Sequence, residues 1–253
     1  MKPNIVVDVG NSRIKWGYCA QDRVGEIVSL DPNIEEPWNE QTKSWQSSEP
    51  IQWAVAGVHP ERVDRFMDWV NKRGDKVALI HDRTLLPIKI DVGEPGRVGI
   101  DRLLNAVAAR SRVLPGESIA IIDAGSAVTV DWVDQEGAFR GGAIFPGLQL
   151  MAKALHEHTA ALPLVDVNRS TPRHILPGNS TEMAIRGGVF WAVAGGITSI
   201  IRLFGSRTEP YHNSVIYLTG GDAKILQPIL HSEIKLWPEM TLEGIRIAAE
   251  ALP

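Results

Sequence analysis

Two stretches of this chain share one layout. Ile5-Val6-Val7-Asp8-Val9-Gly10-Asn11-Ser12-Arg13-Ile14-Lys15-Trp16 is an apolar run ending in Asp-x-Gly, followed by small polar residues and a second alternating run; Ile119-Ala120-Ile121-Ile122-Asp123-Ala124-Gly125-Ser126-Ala127-Val128-Thr129-Val130-Asp131 repeats the scheme. Each reads as strand, tight turn, strand. Glycine lets the backbone approach a ligand, and the amides of such a turn can converge into an anion-binding concavity. An acid beside that concavity suits a cation bridging to phosphate. One such turn occurs in many unrelated folds. Two, each opening one half of the chain, imply duplicated halves that face each other across a cleft and hold a polyphosphate there.

At 253 residues the chain is long enough for two such halves, expected at 1–115 and 116–253. Its 44% hydrophobic and 22% charged content is ordinary for a globular protein, and a net charge of −4 without a long basic run argues against a sequence-independent grip on nucleic acid. A single cysteine, Cys19, forms no intrachain disulfide and fits a reducing cytoplasm; its place in an alternating strand suits a small buried hydrophobe better than a nucleophile. No apolar stretch approaches the roughly 20 residues that cross a bilayer. The longest, Val189 to Ile201, is broken by Gly195 and Gly196 and reads as a buried helix.

The first half is expected to hold strands at 4–9, 13–19 and 24–29, then an exposed connection from Asp31 to Pro50, where Trp38 and Trp45 serve as local anchors or a partner surface. A strand over Ile51 to Val58 precedes a helix opened by Pro60, striped by Val63, Phe66, Met67 and Val70 and ended by Gly74; Lys76 to His81 returns as a strand, so the class is α/β. A loop, 87–98, feeds a helix from Gly99 to Ala109. The second half repeats three strands, near 118–123, 127–133 and 138–144. A helix then runs to His158, and another starts at Asn179-Ser180-Thr181-Glu182 with Asn179 as its cap. A strand over 214–218 and a last helix over 242–252 close the chain.

Asp101 falls in the first turn of its helix, where the dipole favours negative charge. It suits an acceptor of a hydroxyl proton in phosphoryl transfer, or a mere helix-start residue. Arg102 is a solvated charge or a planar donor for a substrate carboxylate. Gly220-Gly221 is a plain turn or bare backbone for a base and ribose. Seven histidines show no metal-binding spacing.

Taken in order, these residues resemble the type III pantothenate kinases of the acetate kinase, hexokinase, Hsp70 and actin superfamily. Asp8 to Ser12 is similar to the first phosphate motif, Gly99-Ile-Asp-Arg102 to the substrate motif, and Asp123 to Asp131 to the second phosphate motif; Gly141 to Gly147, Thr159 to Pro163, Thr181 with Gly187, and Thr219 to Asp222 add further matches. The resemblance implies two ribonuclease-H-like (actin-like ATPase) halves, each a mixed sheet flanked by helices. It also implies ATP-dependent phosphorylation of pantothenate to 4′-phosphopantothenate, the first step of coenzyme A synthesis, by a cytoplasmic homodimer without nucleic-acid or membrane partners. By position, Asp101 is the implied general base; Gly99, Ile100, Arg102 and Thr181 contact pantothenate. Asp8, Val9, Gly10, Asn11, Ser12, Arg13, Ile14 and Lys15 cradle ATP and Mg²⁺, with Ser126 opposite, and Asp123 holds a monovalent cation, K⁺ or NH₄⁺. Two departures stand out: Ser126 replaces the usual Thr, and Val92 replaces a common Tyr. A regulator that keeps the nucleotide cleft, or a phosphohydrolase of the same superfamily, are the competing expectations.

Overall fold

A computed structural model describes residues 1–45, 50–167, 176–205, 214–230 and 233–252. The chain divides into two compact units, Met1–Val113 with Gly137–Phe139 and Glu239–Pro253, and Leu114–Glu136 with Arg140–Pro238.

The first unit is built on β1 (Ile5–Val9), a strand whose residues Ile5, Val6, Val7 and Val9 are all completely buried. A continuous apolar run is what a central strand covered on both faces requires. It pairs antiparallel with β2 (Ile14–Ala20) and parallel with β4 (Gln52–Gly57), while β3 (Arg23–Leu30) and β5 (Lys76–Leu79) form the edges, in the order β3-β2-β1-β4-β5. Ile5, Val7 and Val9 point into an aromatic core of Trp16, Trp38, Trp53, Phe66 and Trp69, carried partly by α1 (Glu36–Ser44) and α2 (Pro60–Lys72). Ring centroids in this core lie 5.1–5.7 Å apart in mostly edge-to-face pairs, a geometry worth about 0.5–1.5 kcal/mol per pair beyond burial. The exposed connection expected over 31–50 is thus corrected: its middle, Glu36–Ser44, is α1, with Trp38 fully buried and its indole N–H bonded to Asp31 O at 2.9 Å. Pro60 opens α2 as expected, and Gly74 follows its end at φ +75°.

A short β6 (Lys89–Ile90) pairs in parallel with Ala138 and Phe139, and the loop after it leads to α3 (Ile100–Arg110). The C-terminal helix packs against α3 within this first unit: Thr241 Oγ1 donates to Asn105 Oδ1 at 2.8 Å, and Glu243 accepts Val24 N–H at 2.9 Å and pairs with Arg246 Nε at 2.8 Å. Cys19 is partly buried, and desolvation pushes its thiol up to about 12, so it is inert as a nucleophile.

In the second unit, β7 (Ser118–Ala124) takes the place of β1. It pairs antiparallel with β8 (Ala127–Val133) and parallel with β10 (Ser214–Thr219); β9 (Ala138–Pro146) and β11 (Lys235–Leu236) extend the order to β9-β8-β7-β10-β11, and β6 lies beyond β9 as a sixth strand. Apart from the added β6, the second sheet repeats the strand order of the first. Ile122 and Ala124 face a core shared with α4 (Leu148–Glu157), α5 (Thr181–Gly205) and α6 (Ala223–Leu226), just as Val7 and Val9 face the aromatic core. α5 starts at the expected 179–182 segment and carries the apolar stretch 189–201 on to Gly205. Its length and composition would suit a bilayer crossing, yet Ile185, Val189, Phe190, Val193 and Ile197 form one face buried in this core while 33% of the apolar window is buried in total. Its cap is Ser180, not Asn179: the Ser180 hydroxyl accepts Met183 N–H at 3.2 Å, and Glu182 instead pairs with Arg186 at 2.8 Å. The last helix completes the set as α7 (Met240–Ala251).

Candidate active site

The first turn joins Val9 to Ile14, a paired couple, through residues 10–13, and Gly10 N–H closes it on Arg13 O at 3.1 Å. Val9 and Ile14 are fully buried, which leaves only their backbone for a ligand, whereas Asn11, Ser12 and Arg13 are exposed. Strand alternation puts Asp8 on the face that Val6 occupies, away from the aromatic core, and Lys15 lies directly across the pair from Asp8, on that same face. The eight residues expected from sequence are therefore one contiguous loop with an acid and a lysine at its base. Sequence reasoning missed Arg62, on the first turn of α2, whose Nη1 donates to Gly10 O at 3.2 Å and also to Asn11 O.

The second turn is one residue tighter. Ala124 pairs with Val128, and Gly125 N–H reaches Ala127 O at 3.1 Å. Ser126 is exposed at its tip. Two flanking segments noted in the sequence, the one ending in Gly147 and the Gly220-Gly221 turn, grip this turn. Gly147 N–H donates to Ser126 O at 2.9 Å, and a Cβ at position 147 would lie 2.1 Å from Gly125 O, so only glycine allows the approach. On the other side Asp222 N–H donates to Ala124 O at 2.9 Å, with Gly220 turning at φ +99°. Burial raises the Asp222 carboxyl above its ordinary value.

Asp123 is half-buried and sits opposite Thr129 in the β7–β8 register, so the two side chains share a face. Thr129 Oγ1 is buried without a hydrogen-bond partner. A carboxylate beside an orphaned hydroxyl fits a hard, oxygen-seeking cation. Among the described residues no three His, Cys, Asp or Glu side chains cluster as a metal site, so carbonyl and hydroxyl oxygens would have to complete any such shell.

Gly99 caps α3 and Asp101 lies in its first turn, as expected. Asp101 Oδ1 accepts Arg102 N–H at 2.9 Å and stands 2.5 Å from where a Cβ on residue 99 would be. Glycine is what leaves room for that carboxylate. Gly99→Ala is expected to turn the carboxylate aside and lower the kcat of any reaction that uses it, with the folded state retained; equal kcat in steady-state kinetics would show that the rotamer is immaterial. Ile100 is buried and offers only backbone, and the Arg102 guanidinium lies 5.6 Å from the Phe139 ring centroid. The loop ahead of the motif is tied down by Arg83, whose Nε donates to Val98 O at 2.7 Å beside a cavity of about 630 Å³; none of the expected site residues lines that cavity. Val92 is half-buried in the same loop. Thr181, the first residue of α5, is exposed and lines an apolar cavity of about 390 Å³ with Met151, Leu155 and Ile185.

The family model for type III pantothenate kinase matches residues 4–203. The chain belongs to the type III pantothenate kinase family. Relatives bearing that name include one from Porphyromonas gingivalis, 31% identical over 97% of both chains, and one from Alkalilimnicola ehrlichii, 32% identical over 95% of both. Among solved structures the chain is similar to the activator of the 2-hydroxyisocaproyl-CoA dehydratase from Clostridium difficile, at a TM-score of 0.52 and 14% identity over 98% of this chain and 95% of that one. That likeness shows the fold, the actin-like ATPase architecture already visible in the repeated sheet order. As a family member this chain is a kinase, and the first phosphate, substrate and second phosphate motifs each take in a turn or a helix start.

Proposed function

We propose that this chain transfers the γ-phosphoryl group of ATP to the primary hydroxyl of pantothenate, giving 4′-phosphopantothenate and ADP, as the first step of coenzyme A synthesis. The observation that carries the reading is the half-buried Asp101 at the mouth of α3, with glycine before it and arginine after it. Asp101 accepts the hydroxyl proton as the oxygen attacks the γ-phosphorus and the bond to the β–γ bridging oxygen breaks. Arg102 takes the pantothenate carboxylate, with the backbone of Gly99 and Ile100 and the Thr181 hydroxyl as further contacts. The loop Asp8 to Lys15 and the Ser126 turn bind ATP, their amides and Lys15 opposing phosphate charge. When bound, Mg²⁺ neutralises charge on the triphosphate, and Asp8 suits its shell. Asp123 with Thr129 suits K⁺ or NH₄⁺. Duplication of the sequence into halves at 1–115 and 116–253, the last helix of the second half being part of the first compact unit, a homodimer, a cytoplasmic setting and the absence of nucleic-acid or membrane partners belong to the same proposal.

A coupled assay of ADP release tests it. Release is expected only with pantothenate present, stimulated by K⁺ or NH₄⁺ over Na⁺, with stimulation abolished in Asp123→Ala. Phosphate release without pantothenate would replace the kinase by a hydrolase, and no release at all would favour a regulator.

A further inference from the structure

Arg62 occupies the first turn of α2, where the positive end of a helix dipole favours an acid rather than a cation. Its guanidinium leaves that helix and reaches back to the first turn. Nη1 donates to Gly10 O at 3.2 Å and also to Asn11 O, fifty-odd residues away in the chain. In a trans peptide the carbonyl of one residue and the N–H of the next point in opposite directions. Drawing the carbonyls of Gly10 and Asn11 toward Arg62 therefore turns the amides of Asn11 and Ser12 the other way, into the concavity that an anion would fill. Among the described residues Arg62 has no carboxylate partner, so its charge is not cancelled by an acid. The junction it stands on is also packed against the turn, since Val58 N–H bonds Val9 O at 3.3 Å.

We infer that Arg62 is a positioning residue for the nucleoside triphosphate: it pre-sets the amides of the first turn and adds a positive charge beside them. This rests on the reading of that turn as the ATP loop. A guanidinium fork satisfies two carbonyls from one nitrogen in fixed geometry, which a lysine ammonium on a flexible stem does not reproduce.

Titration of the full-length protein with MgATP, without pantothenate, tests the inference. Arg62→Ala is expected to weaken MgATP binding about 10–100-fold, the loss of hydrogen bonds from a charged donor, and Arg62→Lys to recover only part of it. Arg65→Ala, on the same helix but paired with Glu35, is expected to bind as wild type does. In turnover, the KM for ATP rises in Arg62→Ala while the KM for pantothenate stays unchanged. Wild-type MgATP affinity in Arg62→Ala or, if that variant does not fold, in Arg62→Lys, would overturn the inference and leave the ATP reading standing. A wild-type protein that binds no MgATP would remove both.

Discussion

Asp101→Asn is expected to cut pantothenate-dependent turnover by about 10²–10⁴-fold, the usual contribution of a general base, while MgATP binds as in wild type. Asparagine is the right probe because its Oδ1 can still accept Arg102 N–H, the 2.9 Å bond that fixes the side chain, and because it fills the space that Gly99 leaves open. What it loses is the capacity to take a proton. The substitution therefore separates chemistry from placement, which Gly99→Ala probes instead. Rapid-quench measurement of phosphopantothenate formation reads the chemical step directly. If Asp101→Asn turns over at the wild-type rate, the base lies elsewhere and α3 merely presents its N-terminus.

The parts of the fold that were legible in the sequence are those fixed by neighbours along the chain. Asp-x-Gly after an apolar run specified both turns; Pro60 and Gly74 marked the ends of α2; the glycine-led start of α3 placed Asp101. Contacts between distant segments were not legible. α1 has nine residues of largely polar composition, and what holds it is Trp38 packed on Phe66 and Trp69 of α2. Arg62 and Arg83 look like two of many surface arginines until the fold brings Gly10 and Val98 beneath them. The buried Glu243 owes its place to Val24 N–H and Arg246, neither of which a spacing rule could supply. In the second unit the glycines of 147 and 220 were visible as motifs, but their common object, the backbone of residues 124–126, was not.

Gly147→Ala is expected to damage stability and nucleotide binding together. The backbone at 147 has φ −73°, a conformation open to any residue, so the substitution carries no dihedral penalty. The whole effect comes from one methyl group placed 2.1 Å from Gly125 O and 2.8 Å from Ser126 O, both backbone atoms that cannot rotate aside. Either α4 withdraws, exposing Leu148 and Ala152, which are fully buried, or the turn moves and carries Ser126 with it. Overpacking of this kind costs about 1–3 kcal/mol, or a fall of roughly 2–12 °C in melting temperature for a chain of this size. Alanine at Gly195, a helical position with open space around it, is the control and should leave the melting temperature equal or slightly higher. Thermal unfolding with and without MgATP distinguishes the two ways of yielding: withdrawal of α4 lowers the melting point but keeps the MgATP-induced rise, whereas displacement of the turn removes that rise as well. A Gly147→Ala protein that melts and binds MgATP as wild type does would mean that the segment before α4 does not brace the second turn, and that the turn's shape is set by Gly125 and its strands alone.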